Sequence, residues 1–273
     1  MNELIVFTKL LKNKTVDELI SIARDDDFDG YDLCVRPGYP VNPDNVTEEL
    51  APAVEKMNQA GLKVPMVTGN FDLLTPDQPV AETILKAMDG AGVRLLKLGY
   101  FMFDPAVQDY WQEVDKIRHA FTGWEVLGKK YQVKICYHTH FNRCMGLNCA
   151  ALMHLIRGFD PHYIGAYIDP LHMAIEGEEF PVGLAMVKEY LSIVALKDVL
   201  IQRGEINGHG KKEIEVVPSG EGMVDFTAVF SELKRVQFQG PLTAHCEFEN
   251  AGDKLPNLIQ HEITFFRGLQ KKY

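Results

Sequence analysis

Four side chains suited to acid–base or metal chemistry follow two short apolar runs. The segment CYHTH supplies His138 and His140, and the segment IDPLH supplies Asp169 and His172. Imidazole and carboxylate groups are common ligands of divalent metals and common general bases at neutral pH. Strands that become polar only at their C-terminal ends are typical of the active site of a parallel α/β barrel. The sequence therefore predicts a catalytic or metal-binding site where several strands end.

Eight apolar runs of strand length recur along the chain, roughly 30 residues apart for most of it, which is the spacing of a strand, a crossover helix and two loops. The runs are Leu4–Thr8, Tyr31–Arg36, Val64–Thr68, Leu95–Gly99, Val133–His138, Tyr163–Asp169, Ser192–Lys197 and Leu242–Glu247. Eight repeats with no GxGxxG after the first run favour a closed (β/α)8 TIM barrel over an open doubly wound sheet. The length of 273 residues suits one such barrel, so we expect a single α/β domain spanning residues 1–273.

Segments of helical period separate these runs. Thr15 and Glu18 form a capping box ahead of the first of them. In TEELAPAVEKMNQAG, Pro52 predicts that the helix proper begins at the proline. The last stretch, Asn257–Leu269, is expected to close the barrel as a helix.

The longest connection, Val199–Gly222, follows the seventh run and is predicted to be irregular. A loop of this length at the catalytic end of a barrel is usually a lid, a binding loop or an oligomer contact. His209, Lys211 and Lys212 within it are candidates to reach a substrate phosphate.

Composition and charge exclude several classes of protein. A net charge of −10 and no long basic run argue against a nucleic-acid partner, since phosphate neutralisation requires clustered lysine and arginine. No stretch approaches the roughly 18 apolar residues of a membrane span, and the N-terminal residues lack a signal-peptide pattern. Five cysteines without CxxC spacing fit a reduced setting. We therefore expect a cytoplasmic protein that is not attached to a membrane.

The alternation of side chains along a strand assigns further candidates to the same inward face. These are Asp32 and Arg36 on the second run, Lys97 on the fourth, Lys197 on the seventh, and His245 and Glu247 on the eighth. Tyr100, Phe101 and Phe103, just after the fourth run, could form an apolar wall for a sugar ring or belong to the core. Asp198 points to the opposite face from Lys197 and is expected to cap a loop or helix.

Five segments together resemble the xylose isomerase-like superfamily of sugar (phosphate) isomerases and epimerases, which also contains inosose dehydratase and endonuclease IV. In chain order they are GYDLCVRP, CYHTH, IDPLH, VALKD and PSGEGMVDF, and the resemblance extends over nearly the whole length. It implies a TIM barrel that holds one divalent metal ion with Glu, Asp, His and Glu from strands five to eight.

Matched position by position, the resemblance implies His138 for the first ligand, Asp169 for the second and His245 for the fourth. The third ligand falls on Ala195, which cannot bind a metal. Glu247 is the alternative fourth ligand or a base. The ion is expected to be manganese, zinc, cobalt, iron or magnesium, and the added histidines favour transition metals.

The implied activity is isomerisation or epimerisation by proton abstraction next to a carbonyl of a sugar or keto-sugar. The candidate bases are His140, His172 and Glu247, while Lys97 and Lys197 could stabilise an enolate or form a buried ion pair with an acid. Substrate contacts are assigned to Asp32, Arg36, Tyr100 and Phe101.

Two other activities remain open. The first is a dehydratase or lyase acting on a keto-sugar or inosose, because the paired glutamates of an isomerase are absent. The second is a non-catalytic sugar-binding barrel, which the alanine at position 195 favours. The net charge opposes endonuclease action. The expected partner is a small carbohydrate, and the chain is a possible homo-oligomer.

Overall fold

Eight parallel strands close into a barrel in the computed structural model, which describes residues 2–248 and 251–273. The strands are β1 (Leu4–Phe7), β2 (Gly30–Cys34), β3 (Lys63–Thr68), β4 (Leu95–Lys97), β5 (Lys134–His138), β6 (Ile164–Ile168), β7 (Leu191–Leu196) and β10 (Leu242–Ala244). Each strand pairs with its neighbours in chain order, and β10 pairs with both β7 and β1. The TIM barrel predicted from the sequence is confirmed, and every predicted run overlaps one strand.

Helices lie between successive strands and cover the outside of the barrel. They are α1 (Val16–Asp26), α2 (Val46–Gln59), α3 (Pro79–Ala91), α4 (Tyr110–Tyr131), α5 (Cys149–Ile156), α6 (Pro170–Glu176), α7 (Phe180–Val187), α8 (Phe226–Arg235) and α9 (Leu255–Lys272). The predicted capping box of Thr15 and Glu18 is present at the start of α1. Among the described residues, no helix is both long enough and apolar enough to cross a membrane.

The start predicted for α2 was wrong. The helix begins at Val46, and Pro52 lies inside it. A proline within a helix removes one backbone hydrogen bond, here to the carbonyl of Glu48. Both residues are on the exposed side of the helix, where water can bond to the freed carbonyl. The proline is therefore accommodated without ending the helix.

The lower barrel interior is filled by apolar side chains from alternate strand positions. This inner cluster consists of Ile5, Met66, Cys136, Tyr167, Ile193 and Ala195. Residues two positions further along the same strand faces, such as His138 and Lys197, lie nearer the C-terminal mouth. The change from apolar to ionisable side chains along one face places the candidate site at that mouth.

The connection after β7 is an ordered hairpin rather than an irregular loop. Strand β8 (Asp198–Ile206) pairs antiparallel with β9 (His209–Val217) and joins it through Asn207 and Gly208, both with positive φ. Its inner face packs against α6, where Val199 and Ile201 contact a small apolar cluster. The irregular structure predicted for Val199–Gly222 is therefore corrected.

The hairpin residues proposed to reach a phosphate lie on its exposed surface. His209 and Lys211 are exposed, and Lys211 pairs with Glu213 at 3.7 Å. Lys212 donates a hydrogen bond to the carbonyl of Ile175. None of the three lines the cavity at the barrel mouth.

Asp198 holds the return from the hairpin to the barrel. Its buried carboxylate accepts backbone N–H bonds from Val199 (2.8 Å), Gly220 (2.9 Å), Gly222 (3.0 Å) and Val224 (3.0 Å). The loop role expected for Asp198 agrees with this geometry.

Candidate active site

Asp169 connects the end of β6 to the start of α6. Its Oδ1 accepts the backbone N–H groups of Leu171 at 2.9 Å and His172 at 3.4 Å, which leaves Oδ2 for the site. The side chain is fully buried. Burial by itself would raise the pKa of Asp169, but His172 and Lys197 reverse the shift and hold the pKa below its usual value. Asp169 is therefore a carboxylate at neutral pH.

Two buried histidines converge on Asp169 Oδ2. His172 Nε2 lies 3.3 Å from it and His138 Nε2 lies 3.4 Å from it. The three side chains offer ligand atoms within 4.8 Å of one another, and His138 Nε2 has no hydrogen-bond partner among the described residues. Two imidazoles and one carboxylate are a donor set typical of zinc and other transition metals. His138, Asp169 and His172 therefore form a candidate metal site.

The other ring nitrogen of His138 is held by Tyr100. Its Nδ1 lies 2.8 Å from the Tyr100 hydroxyl. A metal-binding imidazole usually has such a partner, because the second bond orients the ring and sets the tautomer. Tyr100 in turn donates its backbone N–H to the carbonyl of Phe71 at 3.2 Å. A Cβ atom at Gly99 would lie 2.0 Å from that same carbonyl oxygen, so only glycine permits this approach.

Lys197 extends from the end of β7 into the same cluster. Its Nζ lies 3.0 Å from His172 Nε2, 3.1 Å from Asp169 Oδ2 and 3.1 Å from Glu247 Oε2. Burial would lower the pKa of Lys197, but Asp169 and Glu247 raise it above the usual value. The side chain is thus a buried ammonium ion.

A second lysine, Lys9, which lies in the connection between β1 and α1, also pairs with Glu247. Lys9 Nζ lies 2.6 Å from its Oε1, while Lys197 contacts Oε2. Burial would raise the pKa of Glu247, yet Lys197, with His245 and Lys9, holds it well below the usual range. The group is an ionised carboxylate with a lysine on each of its two oxygens.

His140 presents an unprotonated ring nitrogen at the cavity. Its Nδ1 lies 2.9 Å from the carbonyl of Phe141, and because a carbonyl only accepts, Nδ1 carries the proton and Nε2 the lone pair. Burial, with a contribution from Lys197, lowers the pKa of His140 to about 4. The ring is therefore neutral at physiological pH, and it lines the cavity.

His245 lies in the barrel mouth but outside the three-residue cluster. Its Nε2 lies 2.6 Å from the Tyr167 hydroxyl, and its ring stacks on Phe7 at 4.4 Å between centroids. Its Nδ1 is 4.0 Å from Glu247 Oε2. The structure thus brings His172, rather than His245, together with His138 and Asp169.

A small cavity of about 50 Å³ opens among these groups. It is lined by Phe7, Lys9, Arg36, Thr68, Phe71, Lys97, Tyr100, His138, His140, Tyr167, Lys197, His245 and Glu247. Its lining includes more basic than acidic side chains, so its charge suits an oxygen-rich or anionic ligand.

Two basic side chains of the lining, Arg36 and Lys97, form no ion pair among the described residues. Arg36 donates from Nε to the carbonyl of Gly69 at 2.9 Å and lies 4.3 Å from the centroid of the Phe71 ring. Lys97 Nζ lies 3.8 Å from the centroid of the Tyr100 ring, and burial together with the charge of Arg36 lowers its pKa well below the usual value. Within the part of the chain that the structure describes, neither side chain has a carboxylate within 4.0 Å.

Two residues assigned to the substrate do not line the cavity. Asp32 is fully buried, and its Oδ1 accepts a hydrogen bond from Thr68 at 2.7 Å. Phe101 packs its ring against Tyr137 at 5.7 Å between centroids and donates its backbone N–H to the Tyr137 hydroxyl. Asp32 therefore contacts a cavity-lining residue, Thr68, rather than the cavity itself, and Phe101 packs against the core.

Comparison with known proteins identifies the family. A family model described as "Xylose isomerase-like TIM barrel" matches residues 20–269. The chain belongs to this family. A search of curated proteins found no match.

Solved structures share the fold of this xylose isomerase-like chain at low sequence identity. The IOLI protein with a bound zinc atom has a TM-score of 0.79 and 14% identity, with 99% of each chain covered. A 3-keto-D-glucoside 4-epimerase from E. coli has a TM-score of 0.74 and 16% identity, covering 98% of this chain and all of that one. A probable 3-DHS dehydratase from Bacillus anthracis has a TM-score of 0.72 and 12% identity, covering 98% and 99%. These likenesses support the fold alone.

Sequence reasoning missed five residues that line the cavity of this xylose isomerase-like barrel: Phe7, Lys9, Thr68, Phe71 and Tyr167. Alternation along the strands could have indicated three of them. Phe7 shares a face with Ile5, Thr68 with Met66, and Tyr167 with Asp169. Lys9 and Phe71 follow strand ends, where no periodic signal exists.

Proposed function

We propose that this protein is a metal-dependent carbohydrate isomerase or epimerase that transfers a proton at a carbon next to a carbonyl of a sugar or keto-sugar. The observation that carries the proposal is the neutral imidazole of His140, whose Nε2 bears a lone pair and which lines the cavity next to the His138–Asp169–His172 cluster. Membership of the xylose isomerase-like family supports the choice of carbohydrate chemistry.

The three-residue cluster would hold the divalent ion through His138 Nε2, Asp169 Oδ2 and His172 Nε2. Two nitrogen donors and one oxygen donor favour zinc, manganese, cobalt or iron over magnesium. When bound, such an ion polarises a substrate carbonyl and acidifies the neighbouring C–H group. Tyr100 fixes the His138 ring through Nδ1, so the donor is oriented before any ligand arrives.

His140 would accept the proton from the carbon next to the carbonyl. Its low pKa, about 4, keeps Nε2 free at neutral pH, and its bond to the Phe141 carbonyl fixes the ring. In an isomerase, His140 would return the proton to the neighbouring carbon; in an epimerase, the opposite face of the same carbon would receive a proton from a second group, for which the ammonium of Lys197 is the candidate. Lys97, whose pKa is lowered by burial, lies where it can stabilise negative charge that develops on a substrate oxygen.

The cavity lining indicates how a sugar would be held. Arg36 and Lys97 present basic groups that form no ion pair among the described residues, while the rings of Phe71 and Tyr100 offer apolar faces. Sugars combine hydroxyl groups with apolar C–H faces, so they suit such a mixed surface. Sugar acids and phosphorylated keto-sugars should therefore be tested beside neutral sugars.

A dehydratase is the second candidate, because among the described residues that form the site one neutral base, His140, stands beside carboxylates that are already ionised. Glu247 and Asp169 are both held ionised by their neighbours. Elimination needs one base and a proton donor for the leaving oxygen, and the ammonium of Lys197 supplies such a donor.

NMR of candidate keto-sugars and inososes in D2O tests the proposal. Deuterium incorporation next to the carbonyl, lost in His140→Asn and on metal removal, is the expected result. Loss of water from the product would identify the dehydratase instead. Absence of exchange in every candidate, with sugar binding retained, would leave only a binding protein and refute the proposal.

A further inference from the structure

Lys197 contacts two of the three atoms that a metal ion would need. Its ammonium nitrogen lies 3.0 Å from His172 Nε2 and 3.1 Å from Asp169 Oδ2, and its side chain is 5% exposed. A third contact, 3.1 Å to Glu247 Oε2, completes its surroundings. The ammonium ion is thus surrounded by the same kinds of donor that surround a metal cation.

His172 Nε2 cannot serve both cations at once. An imidazole nitrogen has a single lone pair in the ring plane, and on His172 Nε2 that lone pair is directed at Lys197 Nζ. An ion at the usual distance of about 2.1 Å along that direction would lie about 1 Å from Nζ. At Asp169 only Oδ2 faces the site, because Oδ1 is bonded to the N-terminus of α6, so a metal ion on Oδ2 would lie beside the positive charge of Lys197.

The strand that carries Lys197 offers no other ligand. Ala195 precedes Lys197 by two residues on the same inward face and is packed in the apolar inner cluster. A methyl group at this position leaves space and supplies no donor, and the longer side chain of Lys197 reaches the cluster from nearer the mouth.

We infer that the ammonium group of Lys197 and a divalent metal ion are mutually exclusive occupants of the site formed by His138, Asp169 and His172. The inference rests on the metal site of the proposed function and adds that the ion binds only after Lys197 withdraws from His172 and Asp169. Lys197 then keeps one partner, Glu247, which also contacts Lys9 from the other side. The wild-type protein therefore binds metal weakly, and removal of the lysine charge creates a tighter site.

The test is a titration of metal-stripped protein with Co²⁺, followed by calorimetry and by the visible absorption of the bound ion. Lys197→Met and Lys197→Gln remove the charge and keep much of the side-chain length. Both are expected to bind Co²⁺ at least tenfold more tightly than wild type, which corresponds to about 1.4 kcal/mol. Lys197→Arg keeps the charge and should stay weak.

Two further variants test whether the change in Co²⁺ affinity arises at His172 and Asp169. Lys9→Met removes a positive charge from the same Glu247 carboxylate without touching His172 or Asp169, and it should bind Co²⁺ as wild type does. Asp169→Asn combined with Lys197→Met should lose the gained affinity. Thermal unfolding gives an independent reading, since Lys197→Met leaves Asp169 and Glu247 without their shared cation. Its Tm should fall, and Co²⁺ should raise it more than it raises the Tm of wild type.

Equal Co²⁺ affinity in wild type and in both neutral variants would overturn the inference, whether that affinity is high or undetectable. A Tm response to Co²⁺ that is the same in wild type and Lys197→Met would also overturn it. Because these measurements involve no substrate, they are separate from the deuterium-exchange test. If deuterium exchange occurs but Lys197 does not compete with the metal ion, only the inference is refuted. If Lys197 competes with the metal ion but no deuterium exchange occurs, only the proposed activity is refuted.

Discussion

The buried carboxyl group of Asp32 should make the protein less stable as the pH rises. Its Oδ1 accepts one hydrogen bond from Thr68, and its Oδ2 has no hydrogen-bond partner among the described residues. Burial raises the pKa of Asp32 from 3.8 to about 7, although the Thr68 bond and the charges of Arg36 and Lys97 oppose the shift. Between these two pH values the folded protein holds a proton that the unfolded chain has lost, so stability decreases with increasing pH.

The size of the effect follows from the two pKa values. The difference between about 7 and 3.8 corresponds to about 4 kcal/mol at about 1.36 kcal/mol per pKa unit. The contribution of Asp32 to the free energy of unfolding is fully present below pH 3.8 and is lost as the pH rises through about 7. About 3 kcal/mol of the change falls between about pH 5 and pH 8, a range in which unfolding can be measured.

Asp32→Asn isolates this contribution, because the amide keeps an acceptor for Thr68 and cannot ionise. Urea unfolding of wild type and variant is measured from about pH 5 to pH 8, and the stability of the variant relative to wild type should rise by about 3 kcal/mol over this range. Asp25→Asn, at an exposed position, controls for the loss of one negative charge. Parallel stability curves for Asp32→Asn and wild type would refute the reasoning.

Two other substitutions test the supports of the site. Tyr100→Phe removes the partner of His138 Nδ1 and should lower kcat/KM by about 10- to 100-fold with little change in Tm; unchanged kcat/KM would contradict an orienting role. Asp198→Ala leaves four backbone N–H groups in the hairpin return without their acceptor. It should cost about 3 kcal/mol in urea unfolding, whereas a cost below about 1 kcal/mol would show that water replaces the carboxylate.

The barrel could be predicted because parallel strands covered on both sides are continuous apolar runs. Residues such as Ile5 and Leu96 are fully buried, and the polar residues at the strand ends separate one run from the next. The closed strand order then follows from eight repeats in sequence order. The C-terminal ends of the strands were predicted less accurately. The polar residues of the barrel mouth, such as Glu247, lie beyond the last hydrogen-bonded residue pair of their strand.

The hairpin after β7 carried a signal that was not used. Asn207-Gly208 is a common two-residue turn between antiparallel strands, and both residues have positive φ. Charged and polar residues interrupt the apolar ones in both flanking segments, and most side chains of β9 are exposed, so an apolar-run criterion does not detect them. Turn chemistry was therefore the informative pattern at this point of the chain.

The candidate site was predictable in its location but not in its contacts. Alternation placed His138, Asp169 and His245 on inward faces, and all three lie in the barrel mouth. It could not show that His245 is held by Tyr167 while His172, one helical turn after Asp169, turns back to Oδ2. The N-cap geometry of Asp169 explains this contact. Its Oδ1 accepts backbone N–H groups at the start of α6, and its Oδ2 lies next to His172 in the first turn of that helix.

Lys197 shows that the effect of alanine at position 195, where a metal ligand is expected, cannot be inferred from that position alone. Ala195 by itself implies a weakened metal site, yet the same strand places an ammonium group against Asp169 and His172. A lysine side chain has four rotatable bonds, so sequence indicates the face it leaves from and not the atoms it reaches. In this barrel the negative charge of Asp169 needs a cation when no metal is bound, since an unpaired buried carboxylate is strongly unfavourable. Lys197 meets that requirement, and the chain can therefore keep Asp169 and His172 in place without depending on a bound ion for their stability.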